Sequence, residues 1–304
     1  MILATMGQIE VFSPAKINLF LSVLGRMENG FHELVSLVAP VDFGDTLRIE
    51  VEEASEAGVE LTCSDASLPT DGRNLAYAAA EGFLLRSGLG WRVRIHLEKR
   101  IPHGAGLGGG SSNASAVLKG LSKLAAEVGQ LGLSRGEQME LAAELGSDCP
   151  LFLEAKPVVM RGRGERLSKV SDGALSGLAG REVILFKPSF SIGTAWAYGA
   201  LAATAGAYDS REWAEGRLRE WEEGDLSLES LLHNSFEGPV FGKFEALPLL
   251  FRELGDNDLS CLMSGSGSCC FALVSSEKSG VELESIVKEA WGKRAFVQRA
   301  RIIG

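Results

Sequence analysis

The sequence predicts an α+β protein of two domains, and three observations carry that prediction. A glycine-dense stretch, Ile101 to Ser115 (IPHGAGLGGGSSNAS), stands between a strand pattern and a helix pattern. A strand, bend, strand, helix, strand run fills Leu259 to Ile302. The chain has 304 residues, 45% of them hydrophobic, enough to bury two cores. The expected division is residues 1–160 and 161–304.

In chain order, Ser13 to Gly25 alternates as a strand. Ile17, Leu19, Leu21 and Val23 share one face, while Lys16, Asn18, Phe20 and Ser22 share the other. A lone strand lysine reads as a solvated charge unless other residues converge on it. Glu28-Asn29-Gly30 is a turn signal between two apolar runs. On pattern alone Phe31, leaving that turn, is a core residue and His32 an exposed hairpin residue. Val35 to Val41 and Thr46 to Glu53 read as strands, Asn74 to Arg86 as a helix. In Trp91 to Glu98, Val93, Ile95 and Leu97 alternate with Arg94, His96 and Glu98, as in a half-buried strand.

The glycine stretch follows. Behind it Ala114, Val117, Leu118, Leu121, Leu124 and Ala125 recur at helical spacing, with Ser111, Ser112 and Asn113 as candidate caps. A helix start offers unpaired amides and the positive end of its dipole, and glycines remove the Cβ atoms that would keep a polyanion away. The loop is therefore expected to hold phosphate; the competing reading is a plain flexible connector. Gly104, Gly106 and Gly109 also spell GxGxxG, but a second helical pattern follows where a dinucleotide fold needs a parallel strand. Neither Gly-Lys pair, at 242–243 and 292–293, continues with Ser or Thr, so the Walker pattern is absent. Asp42-Phe43-Gly44 precedes the loop and no His-Arg-Asp exists, so the protein-kinase pattern fails too.

Ser134 to Leu145 reads as a helix, Ser134 and Glu137 matching a capping box and Gly146 ending it. Asp148 then sits in a tightly specified turn, Ser147-Asp148-Cys149-Pro150, either as a turn aspartate or as a working carboxylate. Val158 to Leu167 reads as a hairpin, Glu182 to Lys187 as a buried strand and Thr194 to Ala203 as a short helix. Asp209 to Leu232 is a charged helical region with Trp213 and Trp221 as core contacts. The bend Ser264 to Ser268 lies between two apolar strands, and the chain closes with a helix from Val281 to Trp291 and a strand from Arg294 to Ile302.

Formal net charge is −10 and the basic residues form no runs, so nucleic acid is not an expected partner. No charged start leads into an apolar run, so no secretory signal is expected. The uncharged stretch Leu259 to Ser276 is too rich in Gly and Ser for a membrane span. Five cysteines without a CxxC pair read as reduced thiols of a cytoplasmic protein.

Five motifs in order, PAKINLFL at 14–21, NGFHEL at 29–34, GLGGGSSNA at 106–114, LGSDCPLFL at 145–153 and the bend at 264–268, resemble the GHMP kinase superfamily. The resemblance implies a ribosomal protein S5 domain 2-like N-terminal domain that binds ATP and a ferredoxin-like C-terminal domain that binds substrate. Within the superfamily it points to the branch that phosphorylates the 2-hydroxyl of a cytidine-diphosphate-linked methylerythritol, in the non-mevalonate isoprenoid pathway. ATP and Mg²⁺ are then the expected cofactors, a small molecule the partner, and a monomer or homodimer the state. Asp148 matches the base and Lys16 its cationic partner.

Pro102, Gly104, Ala105, Gly106, Leu107, Gly108, Gly109, Gly110, Ser111 and Ser112 match the nucleotide loop, with Asn74 and Lys99 lining its pocket. The choice between Ser111 and Ser112 as the hydroxyl nearer the metal stays open, as do the metal ligands. Phe31 and His32 match the aromatic-histidine pair that receives cytosine, although relatives carry Tyr where Phe31 stands, which keeps the stack and loses a phenolic hydrogen bond. Tyr198 matches the aromatic on the opposite face of the base, with Thr194 nearby and Asn18 close to the erythritol. Gly265, Ser266 and Gly267 match the diphosphate side. The alternatives are a homoserine- or mevalonate-type kinase of the same superfamily, or a kinase-fold sensor that binds nucleotide without turnover.

Overall fold

The structure, a computed structural model, describes residues 5–304. Strands β1 (Thr5–Arg26), β2 (His32–Glu53) and β3 (Gly58–Cys63) come first, then α1 (Leu75–Ser87), β4 (Trp91–Glu98) and α2 (Gly109–Glu127). Helices α3 (Arg135–Leu145) and α4 (Cys149–Glu154) precede the hairpin β5 (Val158–Gly162) and β6 (Arg166–Lys169). Next are α5 (Asp172–Leu178), β7 (Glu182–Lys187), α6 (Thr194–Ala203), α7 (Arg211–Glu223) and α8 (Leu228–Leu231). The chain ends with β8 (His233–Asn234), α9 (Glu237–Phe241), α10 (Ala246–Asp256), β9 (Cys261–Met263), β10 (Cys270–Leu273), α11 (Glu277–Trp291) and β11 (Phe296–Arg301).

Two compact units form. The first takes the described residues up to Ala15, Gly44–Pro102 and Gly108–Ala155; the second takes Lys16–Phe43, His103–Leu107 and Lys156–Gly304. β1 and β2 each run for 22 residues, so the separate strands expected at 35–41 and 46–53 are one strand that passes through both units. In the first unit β4 pairs antiparallel with the second half of β2 and parallel with β3. The alternation along β4 buries Val93, Ile95 and Leu97, which meet Leu47 and Ile49 of β2. Phe83 of α1 and Val117, Leu121 and Leu124 of α2 join the same core. One helix face is thus apolar because the sheet takes it.

α2 begins at Gly109, not at the serines. Its N-cap, Gly108, is left-handed at φ +70 and makes no side-chain cap bond, which places Ser111, Ser112 and Asn113 inside the helix. α3 has the expected reciprocal capping box of Ser134 and Glu137.

In the second unit β5 pairs with the first half of β2, and the short β8 runs parallel to β1 with Phe20 opposite His233 and Leu21 opposite Asn234. A four-stranded sheet has the order β11-β7-β10-β9 with antiparallel pairs. Helices connect β7 to β9 and β10 to β11, the βαββαβ arrangement of a ferredoxin-like domain. Trp221 is buried as expected, while Trp213 is 40% exposed and rests its ring edge-on against His233. Among the described residues no helix is long and apolar enough to cross a membrane.

Candidate active site

In the first unit the connection from β4 to α2 is organised by one buried carboxylate. Asp45 has no exposed surface. Its Oδ1 accepts the backbone N–H groups of Arg100 (2.7 Å) and Ile101 (2.8 Å), and its Oδ2 accepts Lys99 Nζ (2.7 Å) and Asn113 Nδ2 (2.9 Å). Lys99 Nζ also donates to Ile101 O, and Asn113 Nδ2 to Ser13 Oγ, whose hydroxyl donates to Ser112 Oγ at 2.8 Å. A charge buried this deeply is tolerated only when a counter-charge and hydrogen bonds saturate it. The arrangement fixes both flanks of the glycine stretch to β2. Nothing in the sequence marks Asp45, because its partners lie 54 to 68 residues away.

Two residues expected at the nucleotide pocket have internal bonds. Lys99 uses two of its three donors on Asp45 and Ile101. Asn74 caps α1, its Oδ1 accepting Ala76 N at 3.0 Å and its Nδ2 donating to Pro69 O at 2.8 Å.

The turn that carries Asp148 docks on the first turns of α2. Ser115 Oγ donates to Cys149 O at 2.7 Å, and a Cβ added to Gly146 would lie 3.4 Å from Cys149 Sγ and 3.9 Å from Ser111 Oγ. Asp148 is half-buried at the N-cap of α4 and makes no capping bond with its side chain. Burial pushes the Cys149 thiol up to about 11, which leaves it inert. Ser112 is enclosed with Ser13, whereas Ser111 is half-buried.

The second unit gathers the strand lysine, three loop residues and the late bend. Lys16 is 5% exposed, not a solvated charge, and its Nζ donates to Asn18 Oδ1 at 2.5 Å. Asn18 Nδ2 donates to Ser36 Oγ at 2.9 Å. The carbonyls of residues 105 to 107 are all taken: Cys269 N donates to Ala105 O (3.1 Å), Ser264 Oγ to Gly106 O (3.2 Å) and Lys16 N to Leu107 O (3.0 Å). Gly106 has φ +75, and a Cβ there would be driven into the Ser264 carbonyl oxygen. A Cβ on Gly265 would lie 3.3 Å from Lys16 Nζ and 3.5 Å from Asn18 Oδ1, so the bend lies directly on that pair.

Helix α6 links this bend to the residues that follow the β1–β2 turn. Thr194 Oγ1 is 3.1 Å from Ser266 Oγ. One turn on, Tyr198 stacks on His32 with ring centroids 4.5 Å apart. The pattern-based placement of Phe31 and His32 is reversed. Phe31 is 51% exposed, with the Arg163 guanidinium 4.8 Å from its ring centre, while His32 is half-buried with its Nε2 enclosed and lacking a hydrogen-bond partner. The start of the strand explains the reversal: His32 opens β2, and Phe31 is still in the turn, where Met27 N donates to Phe31 O. Burial, and next the charge of Arg26, hold the His32 imidazole below its usual pKa, in the neutral form.

Family models of the GHMP kinases N terminal domain and of the GHMP kinases C terminal region match residues 74–154 and 212–293. The 4-diphosphocytidyl-2-C-methyl-D-erythritol kinase of Methylacidiphilum infernorum is 40% identical over 284 residues, 90% of this chain and 89% of that relative. A crystal structure of 4-(cytidine 5'-diphospho)-2C-methyl-D-erythritol kinase matches with a TM-score of 0.76 at 34% identity, over 96% of this chain and 99% of the other. The homoserine kinase of Cytophaga hutchinsonii has a TM-score of 0.71 at 18% identity, over 97% and 95% of the two chains, a likeness of fold alone.

Two substitutions test the geometry. Gly106→Val is expected to abolish ATP binding in calorimetry, because the branched side chain meets backbone and the left-handed φ disfavours it. Asp45→Ala leaves the Lys99 ammonium buried without its counter-charge, a loss of about 3–5 kcal/mol. Chemical denaturation checks this; a loss below about 1 kcal/mol would mean that the pair behaves as a surface ion pair.

Proposed function

We infer the chemistry from one premise: the chain belongs to the GHMP kinases and, within them, to the 4-diphosphocytidyl-2-C-methyl-D-erythritol kinases. It is an ATP-dependent small-molecule kinase. On this reading it transfers the γ-phosphoryl of ATP to the 2-hydroxyl of 4-diphosphocytidyl-2-C-methyl-D-erythritol, a step of the non-mevalonate route to isoprenoid precursors. The observation that carries the choice of substrate is the enclosed, unpartnered Nε2 of His32 beside Tyr198. A buried polar atom without a partner is costly, and a nucleobase edge would supply the partner while Phe31 and Tyr198 supply ring surfaces. A homoserine- or mevalonate-type substrate has no base to use them.

Asp148 takes the proton of the attacking hydroxyl, and the Lys16 ammonium stabilises the charge that develops on the oxygen. Asn18 orients the ammonium through its Oδ1. The loop from Gly104 to Ser112 positions the triphosphate with its backbone amides and the start of α2, and positioning supplies much of the rate in phosphoryl transfer. Gly265 to Gly267 hold the diphosphate of the substrate, with Thr194 beside them.

Mg²⁺ carried on ATP needs few protein ligands. Among the described residues no group of three His, Cys, Asp or Glu could hold a metal by itself. The Ser112 hydroxyl is already bound by Ser13. Ser111 is likewise engaged, by the Cys149 thiol, so either hydroxyl at the start of α2 would exchange a partner to hold the metal. When bound, it neutralises charge on the phosphate oxygens. The free cysteines, three of them buried, suit a reducing cytoplasm.

Incubation with Mg-ATP and each alcohol, followed by ADP release, tests the substrate. Turnover is expected with the cytidyl compound and not with homoserine or mevalonate; the reverse pattern refutes this reading. Asp148→Asn should lower kcat by roughly 10² to 10⁴ while ATP affinity holds. An unchanged kcat would make Asp148 a turn residue only. His32→Ala should raise KM for the cytidyl substrate and leave KM for ATP in place; equal losses for both ligands would remove the cytosine role.

A further inference from the structure

A bend made only of Ser and Gly has little stiffness of its own, yet Ser264 to Ser268 sits directly on Lys16 and Asn18. Its stiffness comes from a segment that carries none of the residues assigned above. Asn234 is buried on β8. Its Nδ2 donates both hydrogens, to Met263 O at 2.6 Å and to Gly265 O at 2.9 Å, and its Oδ1 accepts Phe236 N at 2.9 Å. One side chain therefore spans the strand end that enters the bend and the first glycine inside it. Glu237, the first residue of α9, accepts Met263 N on Oε1 at 2.8 Å, so both polar groups of the Met263 backbone are held from this segment. β8 is itself in register with β1, Leu21 facing Asn234, and β1 is the strand that carries Lys16 and Asn18. The position of the bend is thus measured from the same strand as the lysine.

We propose that Asn234, aided by Glu237, is a positioning residue for phosphoryl transfer: it sets the Gly265–Gly267 bend against Lys16 and Asn18 so that the acceptor is held in line. The role in catalysis rests on the kinase reading given above; the clamp itself rests on hydrogen bonds alone. A neutral turn cap and a clamp differ in what they demand of position 234. Asp is isosteric and can still accept from Phe236 N, but it loses both donors and sets a negative charge against two carbonyl oxygens. Asp should therefore be worse than Ala, the opposite of what shape predicts. For Glu237, burial raises the carboxyl to about 7, and Gln keeps the acceptor for Met263 N without the charge. Gln should pass and Ala fail.

The variants Asn234→Ala, Asn234→Asp, Glu237→Ala and Glu237→Gln are to be compared in the full chain. The readouts are kcat, both KM values, ATP affinity by calorimetry, and hydrogen–deuterium exchange of peptides covering residues 260–270. Asn234→Asp is expected to lower kcat by about 10²-fold, the cost of a misplacement on the order of 1 Å. Asn234→Ala and Glu237→Ala should lose about 10-fold, roughly 1.4 kcal/mol of barrier, Glu237→Gln should match the parent, and ATP affinity should stay within about threefold, a change under 1 kcal/mol. Exchange should quicken over 260–270 only in the variants that lose activity. Parental kcat in Asn234→Asp, equal losses for Glu237→Gln and Glu237→Ala, or unaltered exchange over the bend would each overturn the proposal. If Asn234→Asp does not fold, the Glu237 pair decides. If the parent protein does not phosphorylate the cytidyl compound, the kinase substrate is wrong, and the exchange pattern still decides whether the clamp exists.

Discussion

A carboxylate with no exposed surface, Asp45, is the constraint on which the flanks of the glycine loop depend. It neutralises Lys99, fixes the amides of Arg100 and Ile101, and holds Asn113 inside α2. A loop of glycines has many accessible shapes and cannot choose one by itself. Ordering has to be imposed at its ends, and a saturated buried ion pair is stiff because any departure strands a charge in a low dielectric.

The Ser264–Ser268 bend has the same design with neutral parts. Asn234 saturates its amide on Met263, Gly265 and Phe236, and the bend that results lies on Lys16 and Asn18. Each flexible glycine segment is tied to a strand by one buried polar side chain with its main hydrogen-bonding groups in use. The glycines then perform what only they can. At Gly106 two backbones approach so closely that a Cβ would enter the Ser264 carbonyl, which brings loop and bend together without side chains between them.

Much of the architecture is legible locally. Alternation gives β4 its buried face, the helical repeat gives α2 its core stripe, and Ser134 with Glu137 caps α3. These depend on residues within a turn or two of each other, where periodicity carries the information. The polar residues after the glycine run mislead as caps because their side chains have distant uses: Ser112 meets Ser13, and Asn113 meets Ser13 and Asp45. Phe31 and His32 mislead for a related reason. Which of two adjacent residues faces inward is set by where a strand begins, and that is set by pairing and not by hydrophobicity.

What the amino-acid order determines unaided is the list of parts: a glycine loop between strand and helix, a lysine and an asparagine two apart on one strand face, an aspartate in a tight turn, and motifs specific enough to identify the family. What only the tertiary structure decides is which polar groups are taken. Asp45 with Lys99, Asn234 with the bend and Ser112 with Ser13 are spoken for, while the enclosed Nε2 of His32 has no partner. Hydrogen-bond saturation is a property of enclosure in three dimensions, where partners dozens to hundreds of positions apart meet out of reach of water, and no local pattern encodes it.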